Sequence, residues 1–473
     1  MTLVGLSVIA PGSAQFIAGH RKTGKIALMV WAGLLAVVGL VVWLVPLDDL
    51  AGLAVKPWLL TTFKILAFAM ALAWVGLIVD AWRLGHPPAL NRKHRLIMLG
   101  ATLAVAVMVA TPFFVAARYA TAAHDAVVEM FPSGDVAAAS DGRLNILLLG
   151  GDAGEDRVGL RPDSIHLVSI DVRTGEPVMI SLPRNLENAR FAEGTPAAAE
   201  FPDGFTGEGD RSDYLLNATW TYGEENPELF PGDDGPGATA VQQAVEGTLG
   251  VKVHYYVVVD LNGFRDLVDA IGGITLRVNE ELPIGQKGKV LEPGLQELDG
   301  YHALWYARSR EGSSDYARMA RQRCVLGAFL RETDPHTVLT NFVDLVDASK
   351  SFMKTDIPQE DLANLVDLAM KAKSHDVTSL QFVPPLITPG DPDFELIRSE
   401  TDKMLSGATG SASAGASGTD GETPSGDAAD EPKDDSGGQS GGGGGASSDS
   451  DTEQTPDPAA TEPVDISDVC AYE

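Results

Sequence analysis

The stretch "LNILLLGGDAGEDRVGLRPDSIHLVSIDV" (144–172) sets two short apolar runs, 144–151 and 164–172, on either side of a segment rich in Gly, Asp and Arg. Runs of this length, dense in Leu, Ile and Val and bounded by turn residues, read as strands. Outward from this pair the pattern continues. "PVMISLP" (177–183) and "VHYYVVVD" (253–260) read as further strands, and "SLQFVPP" (379–385) as a last one. "ATAVQQAVEGTLG" (238–250) has helical periodicity ending at Gly250, and "LNGFRDLVDAIGG" (261–273) stops at a Gly pair. "DYARMARQRCVLGAFLRET" (315–333) predicts a long helix with Asp315 as N-cap, followed by helices near 337–352 and 358–372. Such alternation predicts one α/β domain over about 141–400.

Upstream lies a membrane region, residues 1–120. Segments 26–45 and 96–117 carry no charge, and 58–79 is apolar except for Lys64, close enough to its end to snorkel. Three segments of this length are not a cleavable signal peptide. Arg21, Lys22 and Lys25 precede the first span, and Arg83, Arg92, Lys93 and Arg95 fill the loop between the second and third. "PLDDLAG" (46–52) is acidic. This distribution predicts a multi-pass protein of the cell membrane, with a cytoplasmic N-terminus and everything after Arg118 outside. "GHRKTGK" (19–25) matches a phosphate-binding loop until Ile26 stands where Ser or Thr is needed, and no strand precedes it. It reads as basic flanking sequence.

Residues 121–140 read as a juxtamembrane linker. Residues 401–463 collapse into Gly, Ser, Thr, Pro and acids, a composition too poor in apolar surface to order itself. The last stretch, 464–473, regains apolar residues and ends near Cys470. The net charge is −30 over 473 residues, and residues 401–473 hold 16 Asp and Glu against two Lys. That acidity excludes nucleic acid as the general partner. The two cysteines, Cys324 and Cys470, form an even count outside the cell, which favours a bridge between helix and tail over two separate thiols.

Against that acidity, residues 306–323 gather Arg308, Arg310, Arg318, Arg321 and Arg323. On a helix Arg318, Arg321 and Gln322 share one face, and on an extended segment Arg308 and Arg310 share one side. Guanidinium forks match phosphate oxygens, so a phosphate or diphosphate is the natural guest; ion pairs with the abundant acids are the plainer alternative. Asp152 follows the first strand, Arg161 and Asp163 precede the second, and Arg184 follows the third. Carboxylates with basic partners at strand ends suggest a magnesium ion shared with phosphate oxygens.

The ordered set "LLLGGD", "LRPDSIHLVSID", "SLPRN", "LVDAIGGITLRV", "LDGYHALWYARSR" and "DYARMARQR", over about 143–335, resembles the LytR-CpsA-Psr (LCP) family. The resemblance implies an extracytoplasmic α/β domain with a central mixed sheet flanked by helices, enclosing an apolar groove for a polyprenyl chain. It implies a phosphotransferase dependent on magnesium or manganese. Such an enzyme moves a glycopolymer (teichoic acid and arabinogalactan are examples) from a polyprenyl diphosphate carrier onto a peptidoglycan hydroxyl. Carried over by position, Asp152 and Asp163 are the metal carboxylates, and Arg161, Arg184, Arg308, Arg310, Arg321 and Gln322 the diphosphate set, with Arg318 added. Asp163, Arg161, Arg308 and Arg310 carry the chemistry, and Asp163 or Asp152 is placed to accept the acceptor's proton. Two departures stand out: Asn185 follows "PR" where the family often has Asp, and Gly154 replaces a common Arg. The rival readings are a polyprenyl diphosphate hydrolase and a non-catalytic protein that binds or anchors envelope glycan.

Overall fold

In the computed structural model of the chain, residues 2–44, 52, 55–84, 91–134, 136–152, 161–232, 235–285, 289–309, 314–333, 353–414 and 463–470 are described. Two short helices, α1 (Thr2–Ile9) and α2 (Ser13–Ile17), precede three long ones, α3 (Arg21–Leu44), α4 (Pro57–Leu84) and α5 (Arg92–Met130). Each long helix is long and apolar enough to cross a membrane. Most of their large side chains, Met29, Leu72 and Leu103 among them, face outward. Trp74 packs between Trp31 and Phe113, with ring centroids 4.7 and 5.6 Å away. Helix α5 does not stop at the membrane. It runs to Met130, through half of the stretch expected to be a linker, because "TAAHDAVVEM" (121–130) holds no Gly or Pro to break it.

The outer domain begins with β1 (Arg143–Asp152), β2 (Arg161–Asp171) and β3 (Pro177–Leu182), an antiparallel meander. Short helices α6 (Pro196–Glu200) and α7 (Thr219–Glu225) lead to α8 (Pro236–Leu249), which ends at Gly250 in the left-handed conformation, φ 75°. Strand β4 (Tyr255–Asp260) then pairs parallel to β1. Helix α9 (Leu261–Ala270) follows, capped by the Asp260 carboxylate. Next come β5 (Ile274–Val278), β6 (Leu282–Pro283), β7 (Val290–Leu291) and β8 (Gly294–Leu298), which pair β5 with β8 and β6 with β7 in two small sheets. Helices α10 (Gly300–Arg308) and α11 (Asp315–Glu332), strand β9 (Met353–Thr355), helix α12 (Leu362–Ala372), strand β10 (Thr378–Gln381) and helix α13 (Phe394–Ala414) complete the domain.

The main sheet is mixed and has the order β11-β10-β3-β2-β1-β4-β9, its last strand β11 (Val464–Asp465) coming from the C-terminal segment. Both faces are covered. Leu147, Leu149, Ile165 and Leu167 enter one core with Val241 and Val245 of α8 and Ile397 of α13. Met179 enters the other with Val268 of α9, Ala303 of α10 and Val325 of α11. Burial on both faces is why the central strands read as unbroken apolar runs.

Several local readings change. The N-cap of α11 is Ser314, whose hydroxyl accepts from Ala317 N, so Asp315 is left in the first turn for another role. Arg308 closes a helix and does not lie on an extended segment, so the two-apart argument linking it to Arg310 fails; Arg310 lies outside the described residues. So do the helix expected near 337–352 and most of 401–463, although α13 carries helix to Ala414. The C-terminal stretch forms β11 and helix α14 (Ile466–Cys470). β11 adds to the edge of the sheet beside β10, and Cys470 is bonded to Cys324 of α11.

Candidate active site

The β1–β2 ladder contains a bulge, and it decides the site. Gly150 pairs with Ser164 and Gly151 with Pro162, which leaves Asp163 as the extra residue between two ladder positions. Bulges re-aim side chains beside functional sites. Glycine at 150 leaves room for the Ser164 hydroxyl, since a Cβ would stand 2.2 Å from its Oγ and force it to turn away. The Asp163 carboxylate is thereby turned toward Arg184, just beyond the end of β3, and Arg184 Nη1 donates to its Oδ1 at 2.7 Å. Arg184 Nε lies 3.5 Å from Asp315 Oδ2, and Arg318 Nη2 lies 2.8 Å from Asp315 Oδ1. The result is a row of alternating charge, Asp163–Arg184–Asp315–Arg318, joining β2, β3 and the N-terminal turns of α11. Asp315 also sits where the partial positive charge of the helix start favours a carboxylate.

This row forms one end of a cavity of about 810 Å³. Asp163, Ser164, Arg184, Arg308, Arg318 and Gln322 line the polar end. Leu148, Val257, Phe264, Leu267, Leu326, Phe329 and Leu330 line the remainder. The Arg308 guanidinium lies over the Trp305 ring, 5.5 Å from its centroid. Arg318 is 2% exposed, so its charge is held out of water by design of the packing rather than snorkelling from it. Gln322 presents a buried amide oxygen that has no hydrogen-bond partner among the described residues. A buried amide oxygen in this state is free to accept from a group that enters the cavity.

The remaining candidates go elsewhere. Arg321 donates from Nε to Tyr306 O at 2.9 Å and from Nη2 to Ser309 O, so it ties α11 to the C-terminal turn of α10 and does not line the cavity. Burial lowers its pKa from the usual arginine range. Arg161 is exposed, 3.7 Å from Asp213, and is also absent from the lining. The backbone of Asp152 pairs with Arg161, one ladder step from the bulge; its side chain lies outside the described residues. Arg323 is fully buried and donates to Ser379 Oγ at 3.2 Å.

Two residues of the site escaped the sequence reading, one in the charged row and one in the cavity lining. Asp315 was visible as an acid three positions before Arg318 on one helix, a spacing that brings side chains together. His166 lines the cavity below the polar end and its Nδ1 lies 2.8 Å from Ser181 Oγ. Burial, reinforced by the nearby Arg323 charge, pushes its pKa down to about 4, so the ring is neutral at ordinary pH. Its place two residues after Ser164 on β2 puts both on the cavity side.

Among the described residues no three His, Cys, Asp or Glu side chains converge as a metal cluster. The oxygens of Asp163 and Asp315, bridged by Arg184, are nonetheless the hard donors that magnesium takes. They fit an ion held jointly with phosphate oxygens, not one caged by protein alone.

The family model for the LytR_cpsA_psr family matches residues 113–388. A relative in Oceanobacillus iheyensis, named polyisoprenyl-teichoic acid–peptidoglycan teichoic acid transferase TagU, is 29% identical over 225 residues, covering 47% of this chain and 62% of that one. The protein of the same name in Enterococcus faecalis is 28% identical over 226 residues, covering 47% and 64%. The chain thus spans less than two thirds of the length of these relatives. A solved structure from Streptococcus agalactiae overlays with a TM-score of 0.44 at 23% identity, covering 56% of this chain and 88% of that one. With its family model matched over more than half of its length, this chain belongs to the LytR_cpsA_psr family.

Proposed function

We propose that the chain is a membrane-anchored transferase that moves a glycopolymer from a polyprenyl diphosphate carrier onto a peptidoglycan hydroxyl through a phosphodiester. The observation that carries this reading is the single cavity in which a guanidinium-rich end adjoins a long apolar interior. That combination matches a diphosphate attached to a hydrocarbon chain, as no sugar or nucleotide would. The names of the relatives, polyisoprenyl-teichoic acid–peptidoglycan teichoic acid transferases, support the same donor and acceptor classes.

In this reading Arg184, Arg308 and Arg318 bind the two phosphates, with forks that suit their oxygens. The Gln322 amide fixes the orientation of the bound group. The acceptor hydroxyl attacks the phosphorus that carries the glycan; a new P–O bond forms, and the P–O bond to polyprenyl phosphate breaks. Such transfers depend on neutralising charge on the transferring and leaving groups more than on a protein nucleophile. A magnesium or manganese ion held by the Asp163 carboxylate, one of the two acids that the sequence marks for it, would supply further neutralisation of that kind. Asp163 and Asp315 hold Arg184 in place before substrate arrives. The apolar lining excludes water from the leaving group, which favours transfer over hydrolysis. Arg161, exposed two residues before Asp163 on β2, is left to contact the acceptor. By the distribution of basic residues, the N-terminus lies in the cytoplasm and this domain outside.

The test is incubation of the full chain with a lipid diphosphate-linked glycan, with and without peptidoglycan. The expected product is polymer attached to peptidoglycan, formed only with acceptor and magnesium present. Release of phosphorylated polymer at the same rate with or without acceptor would make the enzyme a hydrolase, and unchanged donor in both would leave a binding protein.

A further inference from the structure

Building on the reading of the cavity as a lipid diphosphate site, we propose that the outer turns of α4 and α5 form a rigid pedestal. It stands the polar end of the cavity away from the bilayer and turns the apolar foot toward it, so that a prenyl chain enters from below.

The sheet has two distinguishable ends. Gly151, Asp163, Arg184 and Asp260 lie at the end carrying the site. At the opposite end Leu144, Ile170 and Tyr255 pack in one cluster with Val127 of α5 and with Val55, just ahead of α4. From Leu144 to Gly151 the strand covers about 23 Å at its usual rise. Helix α11 runs the same length of the domain. It starts beside Arg184 with Asp315 and Arg318, and the carbonyl of Thr333 at its far end accepts from Lys373 Nζ at 2.9 Å. Lys373 directly follows α12, whose Leu362 and Leu368 belong to the cluster around Val127. Between Arg318 and Leu330 the helix covers about 18 Å. The cavity lining grades along it, from Arg318 and Gln322 to Phe329 and Leu330, and Leu330 is 41% exposed.

The pedestal is held by hydrogen bonds. Gln359 donates from Nε2 to Phe131 O at 2.8 Å and from its backbone N to Pro132 O at 2.9 Å. Tyr255 Oη accepts from Ala137 N and donates to Asp361 Oδ2, both at 2.8 Å. Gly52, between α3 and α4, packs so closely that a Cβ there would lie 3.0 Å from Asp367 Oδ1 of α12. Two separate points of the membrane region thus grip the same end of the domain.

The height of the pedestal follows from helix register. The rings of Phe68 and Phe114 are 6.4 Å apart, which sets antiparallel α4 and α5 level at these residues. One turn outward on each helix stand Lys64 and Arg118, two cations whose heads reach the hydrocarbon boundary, Lys64 by snorkelling toward its helix end. Beyond them α4 continues for about 10 Å and α5 for about 18 Å. A carrier whose diphosphate reaches Arg184 must therefore lift much of its chain out of the bilayer. Each exposed CH₂ would cost about 0.8 kcal/mol, and the apolar cavity offsets that cost by receiving the chain.

The experiment uses the full chain in vesicles containing phospholipid with a headgroup-borne quencher. Both native cysteines are in the disulfide, so single labels at Glu332→Cys, near the foot, and Asp213→Cys, at the rim of the polar end, report depth. Quenching at 332 is expected to exceed that at 213 at least threefold; equal or reversed quenching overturns the proposal. A Gly-Ser-Gly insertion after Ala122 should then lower transfer from a bilayer-held long-chain donor at least tenfold. It should leave transfer from a water-soluble short-chain donor within twofold. An undiminished rate on the bilayer donor, or an equal loss on both donors, counts against the pedestal. If the unaltered chain transfers from neither donor, the functional reading falls, while the quenching ratio still decides the geometry.

Discussion

Asp163 owes its direction to the one extra residue in the β1–β2 ladder, and Arg184 answers it at 2.7 Å from the end of the neighbouring strand. Asp163→Asn keeps the shape and removes the charge that holds Arg184 and any shared cation. Transfer should fall at least 100-fold, about 2.7 kcal/mol in the barrier, with the thermal midpoint nearly unchanged, as measured by product formation and circular dichroism. His166 gives a second residue-scale expectation. Its folded pKa, about 4, lies below its unfolded value near 6.5, so the unfolded chain binds the extra proton between these values. Its contribution to stability is therefore present above pH 6.5 and is lost as pH falls toward 4. Relative to His166→Gln, the native chain should lose about 2 kcal/mol on going from pH 7 to pH 5, read from urea midpoints of the two proteins. Arg318 and Arg321 mark the limit of what single residues reveal. Their spacing correctly put them near one another on α11, but an arc of one helix is wide enough to meet two neighbours. One guanidinium turned to the cavity and the other to the carbonyls ending α10.

At the scale of elements, α11 and α14 carry the strongest expectation. Their disulfide joins residues 146 apart in sequence, so it restricts the unfolded chain severely. Cys470→Ser should cost about 2–5 kcal/mol and release β11 from the edge of the sheet, seen as a lower denaturation midpoint and faster amide exchange in β10. The strands themselves were legible in the sequence because the core of a doubly covered sheet needs unbroken Leu, Ile and Val. Strand β11 was not: two residues beyond a long acidic stretch carry no periodicity, and only the cysteine pointed back to α11. The helical extension of α5 was hidden for a different reason, since hydropathy ends at Ala117 while the backbone keeps its helical preference to Met130. Strands β6 and β7, two residues each, are too short to signal themselves.

For the whole molecule, the three long helices and the outer domain have to be read together. In the proposed topology the basic residues around α3 and between α4 and α5 keep those loops inside the cell. Reporter fusions at residue 20 and at residue 414 should therefore score cytoplasmic and external respectively, and the opposite result would reverse the assigned topology. The family membership and the α/β architecture could be read from ordered motifs along the chain. The continuity between polar site and apolar interior could not, because residues from seven separate segments, Leu148 to Leu330, meet only in the folded domain.

The most direct measurement is a structure of the chain with a prenyl diphosphate bound. The account predicts both phosphates among Arg184, Arg308 and Arg318, with the chain running past Leu326 and Phe329 toward Leu330. Phosphates bound elsewhere, or a lipid lying outside the cavity with Arg184 and Arg318 still paired to Asp163 and Asp315, would contradict it.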